Sequence, residues 1–395
     1  MSSHHGSTEE FDVIVVGARV AGAATAMLLA RQGLDVLAVD RGQYGSDTLS
    51  THALMRAGVL QLHRWGLLDA VREAGTPRVQ RTLFHYPDET ITINIKPADG
   101  IDGLYAPKRT VIDRILADAA REAGAEVRFG VGVDDLLRDD SGRVLGVVGH
   151  DKDRNQFEAR AAITIGADGV KSKVAQLVEA EVIRPARGAG SVVYGYFEGV
   201  EADAFEWAYS PDATTGFIPT NDGQVVVFVC TRPERFRAEV QSDLTAGFHM
   251  LLEESAPEIA RRVAGGRLVG RLRGFTDVEG YMRRSWGSGW ALVGDAGYFK
   301  DPITAHGISD ALRDAELLAR AVVQAHQRPE NEAAALAQYE SVRDEVSHDL
   351  FEATEIIAGF GWTMPEVKQH LINLSKAMGP EVELLLGLDQ SSTQT

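Results

Sequence analysis

Two glycines and an acid near the start of the chain are the first residues whose types and spacing could do chemistry. Gly17 and Gly22 are the first and last residues of the sequence Gly-Ala-Arg-Val-Ala-Gly, which follows an apolar run at residues 12–16. The pattern G-x-G-x-x-G makes a tight turn before a helix whose free N–H groups bind a pyrophosphate. Arg19 replaces the middle glycine, so its guanidinium either turns toward the phosphates or points to solvent. Asp40 ends the next apolar run, where an acid can hydrogen-bond an adenosine ribose. These residues predict a dinucleotide site.

An acid, a proline and a glycine lie close together much later in the chain. Gly294 and Asp295 follow a strand-like run, Pro302 stands in the next loop, and Gly307 precedes an Ala- and Leu-rich helical pattern. We expect this helix to begin at about Ser309. A helix start carries about half a positive charge, and glycine allows close approach to it because it has no side chain. The segment therefore predicts a site that stabilises negative charge before Gly307.

Two arginines and a third acid are further candidates. Arg56 and Arg109 each precede an apolar helical pattern. Each arginine could form a salt bridge on the surface or face inward, and the sequence does not decide between the two. Asp168 ends a strand-like run beside Gly169, and taken alone it is best interpreted as the cap of a helix beginning near Ser172.

The elements that must position these residues form an alternating pattern. Residues 12–40 read as strand, helix and strand, a βαβ unit of a parallel sheet, which a NAD-dependent dehydrogenase would share. Alternating strand patterns interrupt the α/β order twice. We predict the following division: a mobile tail at residues 1–10, a first dinucleotide-binding part at 11–75, substrate-domain strands at 76–104, a second dinucleotide-binding part at 105–180, a substrate-binding β-sheet domain at 181–280, a third dinucleotide-binding part at 281–330, and C-terminal helices at 331–395.

Composition narrows the functional class. The chain has 395 residues, 44% of them hydrophobic, and a net charge of -17, which argues against nucleic acid and anionic membrane as partners. Its one cysteine, Cys230, lies in a strand-like run and is expected to be a buried structural thiol. No apolar stretch is long enough to span a membrane, and the first ten residues lack a secretory core. We expect a cytoplasmic protein whose His4 and His5 belong to the tail rather than to a metal site.

Three motifs in one chain carry a family resemblance. The fingerprint at residues 17–22, the Asp-Gly stretch at 166–169 and the Gly-Asp stretch at 294–307 together resemble flavoprotein monooxygenases of the p-hydroxybenzoate hydroxylase type and the related FAD-dependent reductases and halogenases. The resemblance covers about residues 11–320. It implies an α/β fold, with an FAD-binding Rossmann-like domain, an antiparallel β-sheet substrate domain and C-terminal helices.

The resemblance also implies roles for individual residues. Asp295 holds ribityl hydroxyls of FAD, the Pro302 carbonyl faces the flavin ring, and the N–H groups of Gly307 and Ile308 bind flavin N1 and O2. The helix start then stabilises the anionic reduced flavin by up to ~2 kcal/mol. The implied cofactor-binding residues are Gly17, Arg19, Ala21, Gly22, Asp40, Arg41, Arg56, Arg109, Val133, Asp168, Gly294, Asp295, Pro302, Gly307 and Ile308.

Substrate and catalytic residues are predicted less directly. The antiparallel region at 181–280 is expected to roof the flavin, and Phe217 and Ile218 are candidates for the pocket wall, although core packing is the alternative for both. His52 and His306 are candidates for proton transfer beside Pro302. A satisfied structural histidine is the simpler interpretation of each.

The resemblance leaves several functions open. The first is a monooxygenase that oxidises an apolar, aromatic or polycyclic small molecule through a flavin C4a-hydroperoxide. The second is a reductase of carbon–carbon double bonds like the geranylgeranyl reductases, followed by a halogenase and by a non-catalytic flavin-binding protein. No second glycine fingerprint follows for NAD(P)H, so we expect either a transient visit by NAD(P)H or a separate flavin reductase. The sequence leaves the oligomeric state open.

Overall fold

The computed structural model describes residues 8–392. The strands of that part of the chain form three sheets. The strands are β1 Glu9–Val16, β2 Val36–Asp40, β3 Arg81–His85, β4 Thr90–Asn94, β5 Glu126–Phe129, β6 Gly132–Arg138, β7 Val144–His150, β8 Gln156–Gly166, β9 Val182–Pro185, β10 Ser191–Glu198, β11 Phe205–Tyr209, β12 Thr214–Pro219, β13 Gln224–Thr231, β14 Arg267–Phe275, β15 Tyr281–Arg283, β16 Trp286–Gly287, β17 Trp290–Leu292 and β18 Tyr298–Phe299.

The helices complete the element order. They are α1 Val20–Arg31, α2 Arg56–Arg64, α3 Leu68–Glu73, α4 Arg109–Glu122, α5 Lys173–Leu177, α6 Pro233–Arg235, α7 Leu244–Ser255, α8 Pro257–Ala264, α9 Gly307–Gln327, α10 Glu332–Ala358, α11 Met364–Ala377 and α12 Gly379–Ser392. The first strand begins at Glu9, inside the predicted tail, because Glu9 and Glu10 already pair with β8. His4 and His5 lie outside the described residues.

A parallel sheet forms the base of the molecule. Its central strands run in the order β17-β8-β1-β2-β5, and β1 pairs in parallel with both β2 and β8. The β1 segment of residues 13–16 is buried on both faces, because α1, α4 and α9 cover one face while the β6–β7 hairpin and α5 cover the other. A strand enclosed in this way reads as a continuous apolar run, as the sequence indicated.

A second, seven-stranded sheet stands over this base. Its order is β14-β10-β13-β12-β11-β3-β4, and every pair is antiparallel except β11 with β3. One face packs toward the parallel sheet and its helices, and α7 and α8 cover the other. Cys230 is buried in β13, and burial raises the pKa of its thiol, as expected for a structural cysteine.

The C-terminal helices enclose one side of the base. The long helix α10 packs on α9, and α12 contacts α2. A capping box at Thr363 and Glu366 starts α11, with Pro365 in its first turn. No helix among residues 8–392 is long and apolar enough to cross a membrane. The chain thus has the predicted mixed α/β fold with C-terminal helices, and its second sheet is antiparallel except for the β11–β3 pair.

Candidate functional site

One cavity of about 850 Å³ runs between the parallel sheet, the start of α9 and the seven-stranded sheet. Its wall includes both glycine-led regions that the sequence singled out, although they are far apart in the chain. The predicted residues that line it are Gly17, Arg19, Ala21, Asp40, Arg41, His52, Arg109, Val133, Asp168, Asp295, Pro302, Gly307 and Ile308. Folding therefore brings most of the predicted site residues to one space.

The fingerprint loop is built on close backbone approaches. Gly17 has a φ of +105°, and a side chain there would overlap the carbonyl oxygen of Ala167. A side chain at Gly22 would overlap the Gly17 carbonyl, so Gly22 lies behind the loop and supports it instead of lining the cavity. The Asp40 carboxylate accepts hydrogen bonds from the N–H groups of Ala18 and Gly42, at 2.9 and 2.7 Å. Asp40 therefore shapes the loop and also faces the cavity.

The arginine in the fingerprint is anchored beside the cavity. Arg19 donates to Asp113 at 3.1 Å and to the Ser46 hydroxyl at 3.0 Å. Arg109, the first residue of α4, donates to the other oxygen of the buried Asp113 at 2.9 Å. One carboxylate thus fixes two guanidinium groups on the cavity wall, where they can meet phosphate charge.

The structure does not bring Arg56 to the cavity, contrary to the expectation from the sequence. Its guanidinium donates to the carbonyl oxygen of Lys96 at 2.5 Å, and that bond is exposed. Arg56 begins α2, but its side chain turns toward the segment after β4. The Arg56 guanidinium therefore hydrogen-bonds to exposed backbone carbonyls of that segment and does not reach the place along the cofactor that the sequence predicted.

Asp168 caps a helix and also lies on the cavity wall. Its carboxylate accepts from the Ser172 hydroxyl and the Lys173 N–H at 2.5 and 2.6 Å, which caps the start of α5. The same residue lines the cavity, and burial raises the pKa of its carboxyl although those hydrogen bonds oppose the shift. Capping and facing the cavity are therefore compatible.

Asp295 is the least satisfied acid of the site. The turn before it requires Gly294, which has a φ of +59° and lies so close to Ala21 that an added Cβ would come within 2.8 Å of the Ala21 Cβ. Gly294 itself lies behind the cavity wall. Among residues 8–392, no group is hydrogen-bonded to the Asp295 carboxylate, and burial raises its pKa to about 6, against the opposing charges of Arg109 and Lys300. A carboxyl without protein partners at a cavity wall is suited to bind hydroxyl groups of a ligand.

The helix start is at Gly307, two residues before the predicted position. By helix geometry, the N–H groups of Gly307 and Ile308 have no acceptor within the helix. An added Cβ at Gly307 would meet no atom within 4 Å, because the position faces open space. The positive end of a 21-residue helix is thus directed to the cavity beside Pro302.

His52 lines the cavity but is held neutral. Burial, followed by the charges of Arg109, Lys108 and Arg273, lowers its pKa to about 3. Its Nε2 lies 2.5 Å from the Tyr196 hydroxyl, while the buried Nδ1 has no partner among the described residues. The backbone at His52 has a left-handed φ of 66°, a conformation in which histidine is one of the few enriched non-glycine residues.

His306 lies away from the cavity. It is fully buried and its Nε2 is 2.6 Å from a carboxylate oxygen of Glu381 on α12. The sequence made it a candidate for proton transfer beside Pro302, but its side chain does not line the cavity. The simpler interpretation, a satisfied structural histidine, stays a prediction, because the buried Nδ1 has no hydrogen-bond partner among the described residues.

Sequence reasoning missed a cluster of buried charges behind the helix start. Lys300 and Asp310 form an ion pair that lines the cavity, and Arg313 contacts Asp310, Asp314 and Glu381 at 3.1, 2.7 and 3.3 Å. The sequence contained a usable indication. Asp310, Arg313 and Asp314 recur at helical spacing on a helix that is otherwise rich in Ala and Leu, which places charges on its packed face.

The two predicted pocket residues do not line the cavity. Phe217 points to the far face of the seven-stranded sheet, under α7, with the Arg262 guanidinium 4.4 Å from its ring centre. Ile218 is fully buried in the core on the near face. Core packing was the alternative considered for both. The aromatic wall instead comes from Tyr194 and Phe275, to which no motif pointed.

The donor set fits FAD. Phosphates would meet the fingerprint loop with Arg19 and Arg109, ribityl hydroxyls would meet Asp295, and the flavin ring would meet Pro302 and the N–H groups at the start of α9. The space at Gly307 is consistent with a flat ring lying against the helix start.

Comparison with known proteins agrees with this fit. A family model described as "FAD binding domain" matches residues 10–354. A digeranylgeranylglycerophospholipid reductase of Methanocella arvoryzae is 25% identical, over 86% of this chain and 85% of that protein. Two solved structures share the fold: a flavin-dependent brominase, with a TM-score of 0.80, 18% identity and coverage of 98% and 100% of the two chains, and a probable FAD-dependent monooxygenase of Pseudomonas aeruginosa, with a TM-score of 0.76, 21% identity and coverage of 94% and 100%.

Proposed function

The chain belongs to the family of FAD-binding domain proteins, and from this premise we propose that it is a monooxygenase acting on an apolar, aromatic or polycyclic small molecule. As a member of this family it is an FAD-dependent oxidoreductase. Bound FAD supplies the redox chemistry, including the reaction with oxygen, and the protein supplies binding, orientation and electrostatics.

An apolar wall in the same cavity as the helix start is the observation that carries the proposal. The seven-stranded sheet contributes Val192, Tyr194 and Phe275 to the cavity, and Phe299 joins them, with its ring centre 6.4 Å from that of Phe275 in an edge-on arrangement. Such a wall excludes water and favours a flat apolar substrate. Both conditions protect a reactive oxygen species from side reactions.

His52 supplies a polar group without adding charge to this wall. Because its pKa is about 3, the imidazole is neutral at physiological pH. The raised pKa of Tyr196 keeps that hydroxyl protonated, so Tyr196 can donate to Nε2 and leave a proton on Nδ1. We propose that Nδ1–H donates to a hydroxyl or carbonyl oxygen of the substrate.

The electron source belongs to the same proposal. NAD(P)H visits the cavity transiently, or a separate flavin reductase delivers the electrons. Mixing the FAD-loaded protein with NADH or NADPH under argon separates the two arrangements, because only direct reduction bleaches the flavin absorbance without a second protein.

Labelled oxygen provides the decisive test. The FAD-loaded protein is supplied with electrons, ¹⁸O₂ and a panel of apolar aromatic compounds, and the products are analysed by mass spectrometry. We expect one ¹⁸O atom in the product of at least one substrate. Products that form equally well under argon, or that contain no ¹⁸O, would contradict the proposal.

A second candidate function is the reduction of carbon–carbon double bonds, which the archaeal reductase favours because it matches over most of both chains. The test is anaerobic. Reduced protein mixed with a polyprenyl alkene under argon should regain the spectrum of oxidised flavin if the chain is such a reductase. It should stay reduced until oxygen is admitted if the chain is a monooxygenase.

A further inference from the structure

One edge of the seven-stranded sheet is unprotected. The edge strand β4, Thr90–Asn94, pairs with β3 on one side, and all of its residues are exposed. No strand among residues 8–392 pairs with its other side. The strand contains no proline, no charged residue and no bulge, which are the features that usually keep an edge strand from pairing with another chain.

The opposite edge of the same sheet has such protection. Its strand, β14, contains Arg267, Arg271 and Arg273, and its register with β10 shifts between Tyr194 and Tyr196. Charges and a bulge at an edge prevent pairing with a further strand. The difference between the two edges is expected if pairing is prevented at β14 and used at β4.

Backbone groups of alternate β4 residues point away from the sheet. The N–H of Ile95 and the carbonyl of Glu89 are hydrogen-bonded to the residues that flank β3. Hydrogen-bonded positions alternate along an antiparallel pair, so the N–H and C=O groups of Thr90, Thr92 and Asn94 are directed outward. The free edge therefore presents a row of backbone donors and acceptors.

Two isoleucines add apolar surface to the same edge. Ile91 and Ile93 are 39% and 47% exposed. Ile91 lies opposite Phe84 on β3, and the Phe84 ring stacks on Trp207 of β11. Because opposite residues share one face of a sheet, the isoleucines extend this apolar row to the edge. Apolar surface beside outward-directed backbone groups is suited to an added strand.

The strand is complementary to a second copy of itself. If two β4 strands run antiparallel with their Thr92 residues opposite each other, the outward N–H and C=O groups of one copy meet those of the other. In this register, Ile91 of each copy lies opposite Ile93 of the other copy. The exposed isoleucines would then cover each other across the two-fold axis.

The charges at the two ends of β4 favour the same arrangement. Asp88 and Glu89 precede the strand, and Lys96 follows it. Lys368 contacts both acids, so one cation faces two carboxylates. Antiparallel pairing places this acidic end beside Lys96 of the second copy, whereas parallel pairing would bring the two acidic ends together. Opposite charges across a strand pair stabilise it, and like charges destabilise it.

We propose that the protein forms a two-fold homodimer in which two β4 strands pair and the two seven-stranded sheets become one continuous sheet. A strand pair of this length buries less area than a standard interface, so we expect a dissociation constant of about 10 μM. The proposal does not depend on the reaction that the protein catalyses. Its failure and that of the proposed function are therefore distinguishable.

Sedimentation velocity of the FAD-loaded protein, between about 1 and 100 μM, measures this association. Thr92→Pro removes the N–H at the centre of the pairing but keeps the hydrogen bonds to β3, because that N–H points away from β3. Thr92→Val is the matched control, since it lacks the hydroxyl but keeps the N–H. We expect the wild-type protein and Thr92→Val to dimerise alike, and Thr92→Pro to associate at least about tenfold more weakly.

Disulfide cross-linking tests the register. The Cα atoms of the two Thr92 residues should lie about 5.5 Å apart, which is within the range of a disulfide. The two Thr90 residues, each opposite Asn94 of the other copy, should lie more than about 13 Å apart. The native cysteine, Cys230, is buried. Diamide, which takes up the two thiol hydrogens, is therefore used to oxidise Thr92→Cys and, as the control, Thr90→Cys.

We expect a covalent dimer from Thr92→Cys and none from Thr90→Cys at the same concentration. A wild-type protein that stays monomeric over the whole concentration range would overturn the proposal. A dimer that Thr92→Pro leaves intact, or equal cross-linking of the two cysteine variants, would also contradict it, because the copies would then meet in another way. If Thr92→Pro does not fold, the cysteine variants decide the question.

Discussion

At the scale of single residues, the site depends on positions where a side chain is absent or left without a partner. Gly307 leaves space before the positive end of α9, and the Asp295 carboxylate faces the same cavity without a protein donor. In the protein without ligand, the N–H groups at the start of α9 and the Asp295 carboxylate therefore have no hydrogen-bond partners from the described residues of the chain. They are useful only when a ligand fills the space and offers hydroxyl groups.

Gly307→Val tests the space before α9. The added side chain meets no protein atom at its Cβ, so we expect a folded protein with wild-type circular dichroism. Because valine would occupy the place of the ring, FAD affinity should fall by at least about tenfold, which corresponds to about 1.4 kcal/mol. Flavin absorbance after gel filtration is the measurement.

Gly361→Val is the matched control, because Gly361 is exposed, away from the cavity, and also has no atom within 4 Å of an added Cβ. It should keep its FAD. Full retention of FAD by Gly307→Val would refute the placement of the ring.

Asp295→Asn tests the unpaired acid through pH. The raised pKa of Asp295 means that the native protein without FAD binds this proton more tightly than the unfolded chain does. The free energy of unfolding therefore falls as pH rises from about 4 to about 6 and stays lower above that range. At pH 7, FAD-free Asp295→Asn should be more stable than the wild-type protein by about 1–3 kcal/mol, yet bind FAD more weakly.

Urea unfolding of both FAD-free proteins at pH 7 and near pH 4 measures the difference. It should disappear near pH 4, where Asp295 is protonated in the native wild-type protein. A variant less stable than the wild-type protein at pH 7 would show that the carboxylate is already satisfied.

At the scale of elements, α9 connects the cavity with the C-terminal helices. Its first turn faces the cavity, and Arg313, one turn further, is fully buried among Asp310, Asp314 and Glu381. Glu381 belongs to α12, so the last described helix supplies one of the negative charges that compensate the buried Arg313 of α9. Removing one partner from such a cluster leaves an uncompensated buried charge.

Glu381→Ala should therefore lower the free energy of unfolding by about 3 kcal/mol. The control is Lys368→Ala, which breaks an exposed ion pair with Asp88 and Glu89 and should cost less than about 1 kcal/mol. Denaturant titration of both variants measures the two values. Similar losses for both would mean that α12 contributes little through its buried charge.

At the scale of the whole molecule, the cavity exists because separate parts of the chain close around it. The fingerprint loop, the loop before α2, the start of α4, the turn after β8, strand β10 and the start of α9 all contribute to its wall. We propose that the seven-stranded sheet, with the predicted segments 76–104 and 181–280, acts as the substrate domain above the FAD-binding base. A ligand that fills this cavity ties the two layers together.

FAD should accordingly stabilise the whole protein against unfolding. At a free FAD concentration of about 100 times the dissociation constant, the gain should be about 2.7 kcal/mol. Thermal unfolding of the FAD-free protein at increasing FAD concentration measures it. Gly307→Val should show a much smaller shift at the same concentrations, and an equal shift would mean that FAD binds elsewhere.

The sequence alone determined the features that depend on local chemistry. The buried run of β1 and the turn at Gly17 follow from neighbouring residues, as does the helix start near Gly307. In each of these three elements, residues only a few positions apart in the sequence determine the backbone conformation and the pattern of buried side chains. The resemblance of three motifs then indicated which ligand such elements hold.

Only the tertiary structure decided where the long polar side chains went. Arg56 turns to the carbonyls after β4, His306 pairs with Glu381, and Lys300 enters the cavity wall beside Asp310. Each destination lies on another segment, in two cases far along the chain. Burial and pairing of charge depend on the assembled surroundings, because the local sequence does not specify which distant partner will compensate a buried charge.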